Sequence, residues 1–218
     1  MDAKTLDHVA LWVAERDSIV EFLVGTLELH VIERTDAFTL VGSDARRGKI
    51  TLFAAEGPRE RGALRHVALR VRDVERFGGE AAFDLDEGLR IVLVEGSTDV
   101  EYDLDHVALY SRDPAKAAEE YLSLGFEPAA PGRHGPRVHV GGAHVEFHRG
   151  DPGSPERPLL NHLAVLVDSA DEQHADAVEL GLDVADFVDA ANTRALFVWG
   201  PERVKIEYVE HKPTFSLA

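Results

Sequence analysis

The sequence predicts an α+β fold of four repeated βαβββ-type modules. Three observations carry that prediction. Four short segments match one another: LDHVALWV at 6–13, LRHVALRV at 64–71, LDHVALYS at 104–111 and LNHLAVLV at 160–167. Their histidines are His8, His66, His106 and His162, and His8 stands about as far from His106 as His66 does from His162. Helix-forming patterns follow three of the four segments, and short glycine-punctuated apolar runs come after them.

Each opening segment is rich in aliphatic and β-branched residues and ends at polar or turn residues, which predicts a strand. Strand alternation predicts that Leu6, His8, Ala10 and Trp12 share one face. In module one, DSIVEFLVGTLEL at 17–29 places Ile19, Phe22, Leu23 and Leu27 on one helical stripe, and FTLVGS and KITLFAAEG follow as strands. GPRERG at 57–62 links modules one and two. Only RDVERFGGEAAFDLDEG separates the first and last strands of module two, so its helix is expected to be shortened or lost. In module three, Asp113 is the predicted N-cap, Pro114 the first helical residue and Gly125 the stop; RVHVGG and AHVEFHRG follow. DPGSPERP at 151–158 leads to module four. There Ser169 or Asp171 opens a helix that Gly181 ends, before RALFVWG and VKIEYVEH. The expected organisation is an N-terminal module pair at 1–100 and a C-terminal pair at 101–218, each making one curved, barrel-like mixed sheet.

Lys plus Arg is 23, Asp plus Glu is 40 and the net charge is −17. With no basic stripe, nucleic acid and anionic membrane are not expected partners. The chain has no cysteine, which excludes disulfides and thiolate metal sites. The N-terminal MDAKTLDHVA lacks the charged and apolar pattern of a signal peptide, and no run is long and apolar enough to span a bilayer. The expectation is a cytoplasmic protein whose partner is a small-molecule substrate; homo-oligomerisation stays open.

Paired opening strands would aim their histidines into one cup. The closing strands AHVEFHRG and VKIEYVEH align Glu146 with Glu207, each between apolar residues facing the other way: Val145 and Phe147, Ile206 and Tyr208. A carboxylate on the inner face of a strand is costly unless it is paired or bound to a metal. His106, Glu146, His162 and Glu207 are therefore the expected ligands of one divalent metal ion. At the matching N-terminal positions stand Leu52 and Val92, so that pair is expected to be metal-free, with His8 and His66 structural. His139 and His148 share inward faces, and Tyr110, Phe197, Trp199 and Arg194 are candidate substrate-pocket residues.

The HVAL strand starts, the βαβββ order and the terminal VKIEYVE together resemble the vicinal oxygen chelate superfamily of glyoxalases, bleomycin-resistance proteins and extradiol dioxygenases. The resemblance implies that His106 and His162 match the family's first-strand histidines and Glu207 its last-strand acid. Glu146 matches the second acid of glyoxalase I-like members. WGPERVKIEYV further resembles the extradiol dioxygenase stretch that ends in a metal-binding glutamate. Phe197 stands where that pattern has a tyrosine, and Val188 and Asp189 where it has a histidine, which leaves His148 and Glu146 as proton-transfer groups. The implied function is a metal-dependent enzyme whose substrate chelates the ion through vicinal oxygens, extradiol-dioxygenase-like, with Fe(II) or Mn(II). The alternatives are a glyoxalase I-like lyase or epimerase with Ni(II), Co(II) or Zn(II), and a non-catalytic binder of small molecules or antibiotics.

Overall fold

The computed structural model describes residues 1–43, 47–79 and 81–216. All four matching segments are strands, and each opens a module. Module one runs β1 (Thr5–Val13), α1 (Arg16–Gly25), β2 (His30–Arg34), β3 (Phe38–Gly42) and β4 (Lys49–Ala54). Module two runs β5 (Leu64–Val71), β6 (Ala82–Asp84) and β7 (Arg90–Glu95), and a single 3₁₀ turn at Glu75–Phe77 takes the place of the helix. Module three runs β8 (Asp103–Ser111), α2 (Pro114–Leu122), β9 (Glu127–Pro128), β10 (Arg137–Val140) and β11 (Ala143–Arg149). Module four runs β12 (Leu160–Leu166), α3 (Ala170–Glu179), β13 (Val184–Asp189), β14 (Thr193–Trp199) and β15 (Lys205–His211).

The caps explain where the helices begin. Asp113 accepts a hydrogen bond from the Lys116 amide at 3.3 Å, with Pro114 next to it, and Ser169 accepts from Glu172 at 3.2 Å. Helix α1 has no side-chain cap of its own. Glu87, from the turn before β7, serves instead, accepting from the amides of Ala14 at 2.6 Å and Glu15 at 2.9 Å. No helix of the described residues is long and apolar enough to cross a membrane.

The sheets are mixed and open, but the modules do not pair within halves. One sheet has the order β13-β14-β15-β12-β1-β4-β3-β2 and the other β6-β7-β5-β8-β11-β10-β9. Module one thus pairs with module four, and module two with module three, through antiparallel contacts β1–β12 and β5–β8. The 1–100 and 101–218 halves each contribute one module to each sheet, which corrects the expected division. Four opening strands of one pattern leave partner choice to long-range packing. Buried tyrosines tie the two layers together: Tyr208 on β15 donates to the Leu124 carbonyl after α2 at 2.7 Å, and Tyr102 before β8 donates to the Leu27 carbonyl after α1. Beneath α2, Tyr121 packs against Phe126 and Phe147.

A further correction concerns strand faces. In each opening strand the register slips at the residue before the histidine: Asp7, Arg65, Asp105 and Asn161 are each an extra residue. Leu6 therefore turns away from His8, Ala10 and Trp12, into the core at 1% exposure. The bulge also brings the side chain before each histidine to the histidine's side. In modules one and three that side chain is an aspartate.

Candidate metal centre

The nested pairing redistributes the predicted ligands. His162 and Glu207 lie in the first sheet, together with His8; His106 and Glu146 lie in the second, together with His66. The predicted set of four is therefore not assembled around one point. Each sheet instead has the same row: a closing-strand acid, an alanine and an opening-strand histidine. Glu207 opposes Ala164, which opposes His8; Glu146 opposes Ala108, which opposes His66.

In the first sheet three donor atoms converge. His8 Nε2 lies 3.1 Å from His162 Nε2 and 3.2 Å from Glu207 Oε2, and His162 Nε2 lies 2.9 Å from Glu207 Oε2. His162 and Glu207 are buried at 4% and 7% exposure. Three ligands at mutual right angles, about 2.1 Å from one ion, stand about 3.0 Å apart. The spacing of these atoms fits that arrangement. Two further observations agree with it. Glu207 Oε2 makes no hydrogen bond of good geometry despite its burial. Asp7 Oδ1 accepts from His8 Nδ1 at 2.7 Å, which leaves the Nε2 lone pair for the centre.

Behind His8 lies a buried charge relay. Asp7 Oδ2 meets Lys49 Nζ at 2.8 Å and His211 Nε2 at 3.1 Å, and His211 stacks on Phe215 at 3.8 Å. Burial alone would raise the Asp7 carboxyl, but Lys49, His211 and His8 outweigh it and hold the group far below its usual range. Burial lowers His8 less than Glu207 and Asp7 raise it, so it sits at about 9. Burial keeps His162 low, and Glu207 is drawn down to about 2 by the two imidazoles against its own burial. The metal-free centre thus holds a proton on His8 between two carboxylates, and a cation would displace it.

The three donors open onto a cavity of about 190 Å³ with Phe38, Phe53, Phe197 and Phe215 in its walls. Thr51, opposite Ala10, occupies the place on β4 that Glu207, opposite Ala164, holds on β15. The predicted match to that place was Leu52; it lies one residue away, fully buried on the opposite face. Of the other predicted residues, Phe197 packs 5.2 Å from the His162 ring, and with Trp199 it lines an adjoining pocket. Arg194 is engaged on the outer edge by Asp171 and stacks over Phe187. Tyr110, His139, Glu146 and His148 belong to the second sheet, apart from this centre. The sequence reading missed Asp7, Lys49, Thr51 and His211 and undervalued His8. The signal was present in the Asp that precedes His8 and His106 but neither of the other two histidines.

In the second sheet, His66 Nε2 and His106 Nε2 are 2.9 Å apart, and Asp105 accepts from His106 Nδ1 at 2.7 Å. Asp105 is held by Arg70 at 2.9 Å. Burial would raise the Asp105 carboxyl, but His106 and Arg70 bring it down to about 2. Burial and neighbouring cations push His66 down to about 3 and His144 to about 4, so both rings are neutral.

Residues 5–95 match the model of the Glyoxalase/Bleomycin resistance protein/Dioxygenase superfamily. Solved structures extend the likeness in fold to nearly the whole length. A putative dioxygenase from Bacillus subtilis subsp. subtilis str. 168 is similar at 15% identity and a TM-score of 0.74, over 97% of this chain and 86% of that one. Glyoxalase I from Zea mays is similar at 14% identity and a TM-score of 0.73, over 96% and 93%. The cppA protein from Streptococcus pneumoniae TIGR4 follows at 12% identity and 0.66, over 96% and 100%. At these identities the likeness is one of fold. No curated protein matches the sequence.

Proposed function

We propose that the chain is a metal-dependent enzyme of the extradiol-dioxygenase type, acting on a small aromatic substrate with two neighbouring oxygens. Its ligands are His8, His162 and Glu207 rather than the predicted set spread over modules three and four. The observation that carries the reading is the triangle of donor atoms with sides of 2.9, 3.1 and 3.2 Å. Two imidazoles and one carboxylate on one face are the donor set of non-haem iron(II) oxygenases, and manganese(II) accepts the same ligands. When bound, such an ion would hold the vicinal oxygens and bring dioxygen to them. Asp7 fixes the His8 ring for that role. The phenylalanine walls hold a flat ring and exclude water. His211, on the same cavity and tied to Asp7, is the proton-transfer group in this reading, a role expected from the sequence for His148.

The glyoxalase-like alternative asks for a second acid at the centre, and Thr51 stands in that place. The test is catechol-dependent oxygen uptake by protein reconstituted anaerobically with iron(II). Uptake that disappears in Glu207→Ala and His8→Ala but persists in His106→Ala supports the assignment. Absence of uptake with any catechol, or uptake undiminished in Glu207→Ala, defeats it. Reversible binding of the same compounds without oxygen consumption would point to the non-catalytic binder instead.

A further inference from the structure

We propose that Lys205 and Asn161 form a carboxylate-binding subsite beside the His8 centre. Taken with the ring-cleaving role on which this step rests, the subsite makes the substrate a dihydroxylated aromatic acid. Modules one and four repeat one arrangement. Lys49 on β4 stands opposite His8, and Lys205 on β15 stands opposite His162. The bulge residue before each histidine is Asp7 in module one and Asn161 in module four. In module one the lysine and the bulge residue are a buried ion pair, with Asp7 Oδ2 2.8 Å from Lys49 Nζ. In module four an amide replaces the carboxylate, and the lysine keeps its charge without that counter-ion.

Both groups are open to a ligand. Asn161 is 8% exposed, yet its Oδ1 has no hydrogen-bond partner. Lys205 is half-buried, and among the described residues its Nζ makes no hydrogen bond or ion pair. It lies over Phe197 and Trp199, 5.8 and 5.6 Å from the ring centroids. Asp186, exposed at the rim, is turned to the Phe187 amide at 2.8 Å, and Glu207 is engaged by His162 at 2.9 Å. Lys205, Asn161 and Trp199 line a cavity of about 330 Å³. His162, Phe53 and Phe197 line both this cavity and that of the centre, so the two spaces adjoin. Lys205 and Glu207 share one face of β15 two residues apart, a strand spacing of about 7 Å. A ring held at the centre by its two oxygens would reach that far with a short acid arm. An uncompensated cation and an unsatisfied amide drawn away from water are costly, and a carboxylate accepts from both. No protein group fixes the Asn161 amide, so its Nδ2 is free to turn to that carboxylate.

The probe is 3-phenylpropanoate, compared with its neutral amide, on metal-free protein. A Trp12→Phe background leaves Trp199 as the single tryptophan, and its fluorescence reports binding in the cavity. The acid is expected to bind about tenfold more tightly than the amide. That preference should vanish in Lys205→Met and survive in Lys205→Arg and in Arg194→Ala. Asn161→Asp, which rebuilds the ion pair of module one, should abolish it as well. Circular dichroism verifies each fold. Equal affinity for acid and amide, no response to either, or a preference that persists in Lys205→Met or Asn161→Asp overturns the proposal. Oxygen uptake plays no part in this readout, so the subsite and the ring-cleaving role fail separately.

Discussion

Replacing Asp7 by Asn changes one charge and almost no volume, yet the carboxylate it removes touches three groups. Asp7 is 1% exposed and accepts from His8 Nδ1 at 2.7 Å, Lys49 Nζ at 2.8 Å and His211 Nε2 at 3.1 Å. Deleting one partner of a buried ion pair costs roughly 3–5 kcal/mol, and the amide keeps one oxygen acceptor, so about 3 kcal/mol is the expected loss. For a chain of this length, about 2–4 °C of melting temperature accompanies each kcal/mol, which gives a fall of roughly 6–12 °C. The amide also no longer fixes the His8 tautomer, and loss of such an orienting group weakens metal binding by about 10–100-fold. Thermal melts of the metal-free protein measure the first effect, and iron(II) or manganese(II) titration measures the second. A melting point within about 2 °C of the parent would refute the buried charge relay, and unchanged metal affinity would refute its role in orienting His8.

Thr51→Glu places a second acid beside the His8 centre, and slower metal loss to a chelator is expected, with a shift toward nickel or zinc. Glu87→Ala removes the acceptor for the Ala14 and Glu15 amides and should destabilise the chain by about 1–2 kcal/mol in urea unfolding. Gly141 has φ 57°, and a Cβ there would meet the Lys4 carbonyl oxygen at 2.4 Å, so Gly141→Ala should lower the melting temperature. In the metal-free protein, the contribution of Glu207 is complete above its ordinary 4.5 and is lost as pH falls toward 2. That of His8 is complete below its ordinary 6.5 and is lost as pH rises through 9. Greatest heat stability is thus expected between about pH 4.5 and 6.5, and melts that stay flat from pH 6 to 10 would contradict a protonated His8.

The local grammar of the fold was legible in the sequence. The HVAL strands, the Asp113–Pro114 and Ser169 helix starts and the missing helix of module two all follow from short-range preferences, and all are found. Which strands sit side by side was not legible, because the four opening segments look alike to any local rule. His106 and His162 were matched on the assumption that sequential modules pair. The structure brings His162 to His8 and His106 to His66. The bulges before the histidines hid a second feature. Simple alternation sends Asp7 and His8 to opposite faces, so the buried carboxylate behind the His8 imidazole could not be read from strand periodicity.

The nested pairing of the modules has a consequence for biosynthesis. Modules two and three are neighbours along the chain and can close their sheet while translation continues. Module one emerges first but has to wait for module four before its edge is covered. The cluster of His8, His162 and Glu207 draws on residues near the start and near the end of the chain, so a ribosome-stalled or truncated chain is unable to assemble it.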